Sequence, residues 1–227
     1  MEEYRNIRAR ARENLRDNWG LSLAVALVAA ILGGLLVGSY NIDINIDDDV
    51  FYELPPILIT MFAGLASIAS TLSLAQFILG GVVQLGYCRY LLDQHDRREL
   101  SFQTLFSQFD RFGAGFTQAF LRGLYTFLWS LLFVIPGIIK HYSYAMTPFL
   151  MADYPEMTAS QAINASKAMM DGYKGHLFML ELTFLGWELL NVLTLGIGSL
   201  WLNPYMNAAY AAFYRQLQAE QRYTAIE

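Results

Sequence analysis

Apolar residues in this chain come in long blocks divided by short polar segments. Leu21 to Tyr40, Ile57 to Leu92, Phe116 to Ile135, Ile138 to Ala152, His176 to Val192 and Gly198 to Tyr214 are all apolar with few charges. A helix needs about 20 consecutive apolar residues to cross a bilayer. The pattern therefore predicts an all-α, multi-pass membrane helical bundle of about six transmembrane helices in three hairpins. The block from Ile57 to Leu92 predicts one long helix, tilted or bent at Gly80-Gly81. Pro136-Gly137 predicts a tight hairpin turn between the third and fourth spans. The fourth span is short, and its full crossing is left open. The segments Asn18-Trp19-Gly20, Phe112-Gly113-Ala114-Gly115 and Tyr173-Lys174-Gly175 precede the three hairpins as aromatic-glycine junctions.

The polar segments are amphipathic. In residues 2 to 18, Tyr4, Ile7, Ala11 and Leu15 recur at helical spacing, and arginines fill the other faces. Such a helix is expected to lie in the headgroup layer. After Ser101, the residues Phe102, Leu105, Phe106, Phe109, Phe112 and Phe116 predict a second amphipathic helix with a phenylalanine face. Thr158 and Gln161 fit a capping box that opens a third, and Gly172 fits its end. The chain thus divides as a single membrane domain: a basic helix (1–20), a first hairpin (21–92), an amphipathic segment (93–115), a second hairpin (116–152), an amphipathic segment (153–175), a third hairpin (176–215) and a polar tail (216–227), expected to fray. The same order of helix, junction and hairpin occurs three times. It reads either as a true triplication or as chance likeness among apolar segments.

Composition narrows the class. The 227 residues are 55% hydrophobic and 15% charged, against about 25% charged in soluble domains. A single soluble core is therefore disfavoured. Charge adds orientation. Arg5, Arg8, Arg10, Arg12 and Arg16 crowd the N-terminal segment, while Asp43, Asp47, Asp48, Asp49 and Glu53 crowd the segment after the first block. In the six-span reading fourteen of the fifteen basic residues fall on one side, Lys140 being the exception. The positive-inside rule then places both termini in the cytoplasm, with the first span an uncleaved signal-anchor. Arg5, Arg8, Arg12 and Arg16 are the candidates to face anionic lipid, unless they only set topology. The expected partners are the bilayer and a membrane protein or second copy, and no nucleic acid.

Candidate chemistry is sparse. Cys88 is the one cysteine, so no intrachain disulfide forms. The spacing of Asp43, Asp47 and Asp49 lacks the glycine and terminal glutamate of a calcium loop. His95, His141 and His176 are dispersed, and no hydrolase, metalloprotease or nucleotide motif is present. No cofactor, metal or catalytic residue is expected, and no enzymatic activity. The sharper signal is Glu181, Glu188 and Asn191 within the fifth block. Residues seven apart share a helical face, and an acid inside a bilayer is costly unless hydrated, paired or protonated. The group reads either as a proton- or cation-binding stripe along a polar path or as structural, with Glu181 paired to Arg122 and Glu188 hydrogen-bonded to a neighbouring helix.

The run FLWSLLFVIPGIIKHYSYAMTPFLMADYPEMTASQAINASKAMMDGYKGHLF and the following LTFLGWELLNVLTLGIGSLWLNPY resemble the bacterial integral membrane family known as domain of unknown function 975. ARENLRDNWG, QLGYCRYLLDQ and FQTLFSQFDRF resemble its opening and centre. The resemblance implies a multi-pass protein of the cytoplasmic membrane and no activity. The expected function is a component of transport, export or membrane homeostasis with a polar path at Glu181 and Glu188. The alternative is a structural or accessory membrane protein that docks a partner or senses lipid through its amphipathic helices.

Overall fold

The longest apolar block forms one unbroken helix, and the other elements are arranged around its C-terminal half. In chain order the computed structural model has α1 (Glu2–Leu15), α2 (Trp19–Ile31), α3 (Pro56–His95), two 3-10 turns (Phe102–Phe106 and Phe109–Arg111), α4 (Phe112–Leu132), α5 (Val134–Ser143), α6 (Thr147–Asp153), α7 (Ala159–Met169), α8 (Lys174–Leu182), α9 (Leu185–Leu193) and α10 (Ser199–Thr224). The structure describes the backbone of residues 2–34, 56–194 and 196–224, and side-chain surroundings for 4–34, 71–194 and 196–221. The acidic segment with Asp43, Asp47 and Asp49 lies outside the described residues, as do Gly38 to Tyr40 and the side chains of Ser67 and Ser70. The fold is all-α, with no strand among the described residues.

Residues 80–94 of α3 are buried on every side except at Arg89. They meet α2, α4, α6, α10 and the turn at Phe102–Phe106. Glycines make this crowding possible. A side chain at Gly80 would strike the carbonyl of Gly33, and one at Gly81 would strike that of Gly115. A side chain at Gly86 would strike the carbonyl of Leu105. The Gly80-Gly81 pair, expected to tilt or bend the helix, is thus where two neighbouring backbones come into contact with it. A polar link joins α2 to the same stretch: Gln94 Nε2 donates to Ser22 Oγ at 2.7 Å, and Ser22 Oγ lies 3.0 Å from Tyr90 OH.

Several expected elements take other forms. The phenylalanine-faced helix after Ser101 is two 3-10 turns leading into α4. Ser101 caps the first turn through the Gln103 amide at 3.2 Å. Its fully buried residue is Leu105, seated against Gly86, while Phe102, Phe106, Phe109 and Phe112 stay partly exposed. The first span is helical to Ile31, and Gly33 then turns with φ +76°. The second hairpin reverses at Phe133, in extended conformation, rather than at Pro136-Gly137. Pro136 sits in the first turn of α5, where its missing N–H is not needed. Gly137 lets α5 lie against Ser130 of α4. The fourth span is two helices, α5 and α6, with Ser143 to Ala152 almost wholly covered by protein. Thr158 and Gln161 form the expected capping box, and Gly172 turns after α7 with φ +80°.

The two ends of the chain pack on each other. Ile7, Ala11 and Leu15, the apolar face of α1, are buried, and α1 lies along α10. That face therefore covers protein instead of entering lipid. The tail, expected to fray, is helical through Thr224, with Leu217 buried. Arg215 fixes this end of α10. It donates to Asp153 at 2.6 Å and to Asp96 at 2.7 Å, joining the ends of α6 and α3. Burial raises the Asp153 carboxyl, but bonds from Arg215, Gln218 and Tyr214 more than offset this and hold it below its ordinary range.

Among the described residues, two helical stretches are long and apolar enough to cross a membrane, Thr71–His95 and Lys174–Leu193. Large apolar side chains also stand exposed in the α4–α5 hairpin and in α9. Phe133 and Ile135 are each 71% exposed, and Leu193 is 79% exposed. A contiguous surface of this kind marks contact with an apolar surround or partner.

Three substitutions test the packing and the charged end of the bundle. Gly81→Val lowers the unfolding free energy by about 1–3 kcal/mol through overpacking, read as a lower Tm in detergent. Gly113→Ala, with nothing within 4 Å of the added carbon, is neutral or raises stability slightly. The Asp153 carboxyl is depressed in the fold, so its contribution is present above about pH 4, the ordinary carboxylate value. It is lost as pH falls through the depressed value. Asp153→Asn flattens that acid limb of the Tm profile and costs about 2 kcal/mol at pH 7, between an exposed and a fully buried pair.

Candidate functional site

A polar cavity of about 490 Å³ lies between α4, α5, α8 and α10. That is within the usual size of small-molecule sites, roughly 300–1,000 Å³. One wall is a single face of α4: Ala119, Arg122, Thr126 and Ser130 recur at helical spacing. His141 and Tyr142 come from α5, Glu181 from α8 and Tyr210 from α10. The hairpin reversal at Phe133 brings α5 back against α4, so the two walls are consecutive in the chain.

Glu181 is the centre of the donor set. Tyr142 OH donates to one carboxylate oxygen and Tyr210 OH to the other. A phenol on each oxygen stabilises the charged carboxylate and fixes its plane. Arg122 shares the cavity and donates to Gln84 Oε1 of α3 at 2.9 Å. Gln118 Nε2 reaches the same Gln84 oxygen at 3.4 Å. Thr126 and Ser130 donate back to the carbonyls of Arg122 and Thr126, which leaves their hydroxyl oxygens as acceptors toward the space. The cavity therefore presents a cation, an anion, an imidazole, two phenols and two hydroxyls within one partly apolar enclosure. Such a set can hold a small polar or ionic solute, or carry a proton between an acid and an imidazole. Among the described residues no group of three or more His, Cys, Asp or Glu is placed to hold a metal ion.

The candidate polar stripe is divided. Thr183 and Phe184 interrupt the fifth block between α8 and α9, so the seven-residue spacing no longer places Glu188 beside Glu181. Glu188 does not line the Glu181 cavity. Asn191 lines a separate cleft with Arg8, Arg12, Trp19, Trp187 and Trp201. The Thr183 hydroxyl bonds back to Leu180 O at 2.7 Å, and the Thr183 carbonyl accepts from Arg8 at 3.3 Å. Arg8 Nε also donates to Tyr205 OH at 3.2 Å, and its guanidinium lies 4.9 Å from the Phe184 ring centre. Of the candidate lipid-facing arginines, Arg5, Arg12 and Arg16 are exposed, whereas Arg8 is held by α8, α9 and α10. Pro136 and Gly137 shape the hairpin beside the cavity without lining it.

Sequence reasoning named Arg122 only as a partner for Glu181, and it placed Tyr142, His141 and Tyr210 in no site. The one available signal was Arg122 itself, a lone arginine inside an apolar block. Lys140, the exception to the charge asymmetry, stands over the Trp129 ring at 4.6 Å.

If the two phenols hold Glu181, Tyr210→Phe and Tyr142→Phe each remove a charge-assisted hydrogen bond. Each should cost about 1.5–3 kcal/mol. The carboxylate stretching bands assigned by Glu181→Gln difference infrared spectra should shift in both variants and stay unchanged in Tyr125→Phe.

The family comparison agrees with the resemblance read from the sequence: residues 131–221 match the model of the family described as protein of unknown function (DUF975). No curated protein and no solved structure matches the chain. The matched stretch contains Tyr142, Glu181 and Tyr210, while Arg122 precedes it. From the end of α4 through most of α10, at residues 131–221, this chain is similar to that family of unknown function.

Proposed function

We propose that the protein is a multi-pass component of the cytoplasmic membrane, with both termini cytoplasmic, that acts in transport or export through the polar cavity at Glu181. The carrying observation is that Arg122 and Glu181 line one cavity of about 490 Å³, walled by helices whose outer sides are apolar. A guanidinium and a carboxylate kept in such surroundings are costly unless hydrated, paired or used. Their opposite charges suit a small solute with an anionic and a cationic or hydroxyl end. Glu181 would take up or release a proton as the solute enters, with Tyr142 and Tyr210 adjusting to either state. Six crossings in three hairpins remain the topology that fits the arginine distribution, with α5 and α6 making the fourth crossing as two pieces.

A second reading draws on the row of partly exposed Phe102, Phe106, Phe109 and Phe112. It is an accessory membrane protein that docks a partner or lies on lipid through that aromatic row.

The test is transport in proteoliposomes containing a pH-sensitive dye, under an inward proton gradient, with a mixture of amino acids and small carboxylates outside. Wild type should show solute-dependent acidification, and Glu181→Gln should lose at least about tenfold, 1.4 kcal/mol in barrier height, with little change in Tm. Acidification equal to that of empty vesicles, or equal in wild type and variant, would overturn the transport reading.

A further inference from the structure

The cleft that holds Asn191 differs in kind from the Glu181 cavity. It encloses about 450 Å³ between α1, α9 and the start of α10. Arg8 and Arg12 stand on its α1 side, and Trp19, Trp187 and Trp201 wall it. Trp187 and Trp201 are more than half exposed, the disposition of indoles at a membrane interface. The described lining contains two arginines and no carboxylate. Arg12 makes no hydrogen bond to the described residues, and Arg8 gives two of its five N–H donors to protein groups. Asn191 is 7% exposed, and its Oδ1 is buried without a hydrogen-bond partner. An unpaired buried amide oxygen is destabilising, a cost that a bound donor would remove.

We propose that this cleft seats one anionic phospholipid with a hydroxylated headgroup, of the phosphatidylglycerol kind. Its phosphate would lie on Arg12 and the free donors of Arg8. A headgroup hydroxyl donates to Asn191 Oδ1, and the acyl chains leave along Trp187 and Trp201. Charge complementarity selects the phosphate, the three indoles select an interfacial amphiphile over a soluble anion, and Asn191 selects a hydroxyl donor. The proposal rests on the membrane reading and not on transport through the Glu181 cavity. It replaces the general attraction of an arginine-rich helix to lipid with a discrete seat, in which Arg12 takes part and Arg5 does not.

The experiment is native mass spectrometry of the delipidated full chain in detergent, exposed to equimolar phosphatidylglycerol, phosphatidylcholine and phosphatidic acid of matched acyl chains. Wild type should retain one phosphatidylglycerol per chain at saturation, in preference to the other two. Arg12→Gln should reduce that occupancy about tenfold, the effect of one charge-assisted hydrogen bond. Arg5→Gln, outside the cleft lining, should leave it unchanged. Asn191→Leu should keep the preference over phosphatidylcholine and lose the preference over phosphatidic acid. Equal loss in Arg5→Gln and Arg12→Gln, equal retention of all three lipids, or retention of inorganic phosphate in place of lipid would overturn the proposal. Loss of proton-coupled uptake in Glu181→Gln with lipid retention intact would separate this seat from the transport site.

Discussion

Backbone-to-backbone contact at α3 is the constraint on which the remaining arrangement depends. Gly80, Gly81 and Gly86 meet the carbonyls of Gly33, Gly115 and Leu105, so three separate segments are held at distances that a side chain would forbid. Small residues let helix backbones come close enough for van der Waals packing to hold them together. The glycines do that on one stretch of one helix, which is why residues 80–94 are covered on nearly every side. With α4 fixed against α3 at Gly81 and Gly115, the Arg122 face of α4 turns toward α5, α8 and α10. The cavity is thus a product of the packing.

Charge is concentrated where that packing ends. Arg215 bridges Asp96 and Asp153, tying the ends of α3, α6 and α10. Arg98 reaches Asp93 at 3.2 Å and Asp96 at 3.3 Å at the same end of α3. Arginine suits this role because its planar fork can meet two carboxylates at once. Inside the bundle, polar groups are instead bonded singly or in pairs, as with Gln84 between Gln118 and Arg122. The two patterns divide the molecule into a networked end and a sparsely polar interior. Glu181 sits in the second, where phenols rather than arginine hold it.

Much of this was legible in the sequence. Block lengths gave the helices, the caps at Thr158 and Gly172 gave boundaries, and Glu181 stood out as an acid in an apolar run. The failures share a cause: helical period alone does not report what covers a face. Ile7, Ala11 and Leu15 read as a lipid-facing stripe, yet α10 covers them. The phenylalanines after Ser101 have perfect spacing, yet Leu105 must fit against Gly86, and the chain tightens into 3-10 turns to place it. Glu188 seemed joined to Glu181 because period reasoning assumes an unbroken helix, and Thr183 breaks it. Tyr142 and Tyr210 were unremarkable as interfacial aromatics, and only the fold brings them to one carboxylate.

Arg8 closes the chain on itself. It binds the Thr183 carbonyl and Tyr205 hydroxyl, partners 175 and 197 residues away. The seat of α1 is thus built from segments made long after it. Until α10 exists, the apolar face of α1 lacks its main cover. An early segment of the chain and a late one therefore have to meet before either is fully packed.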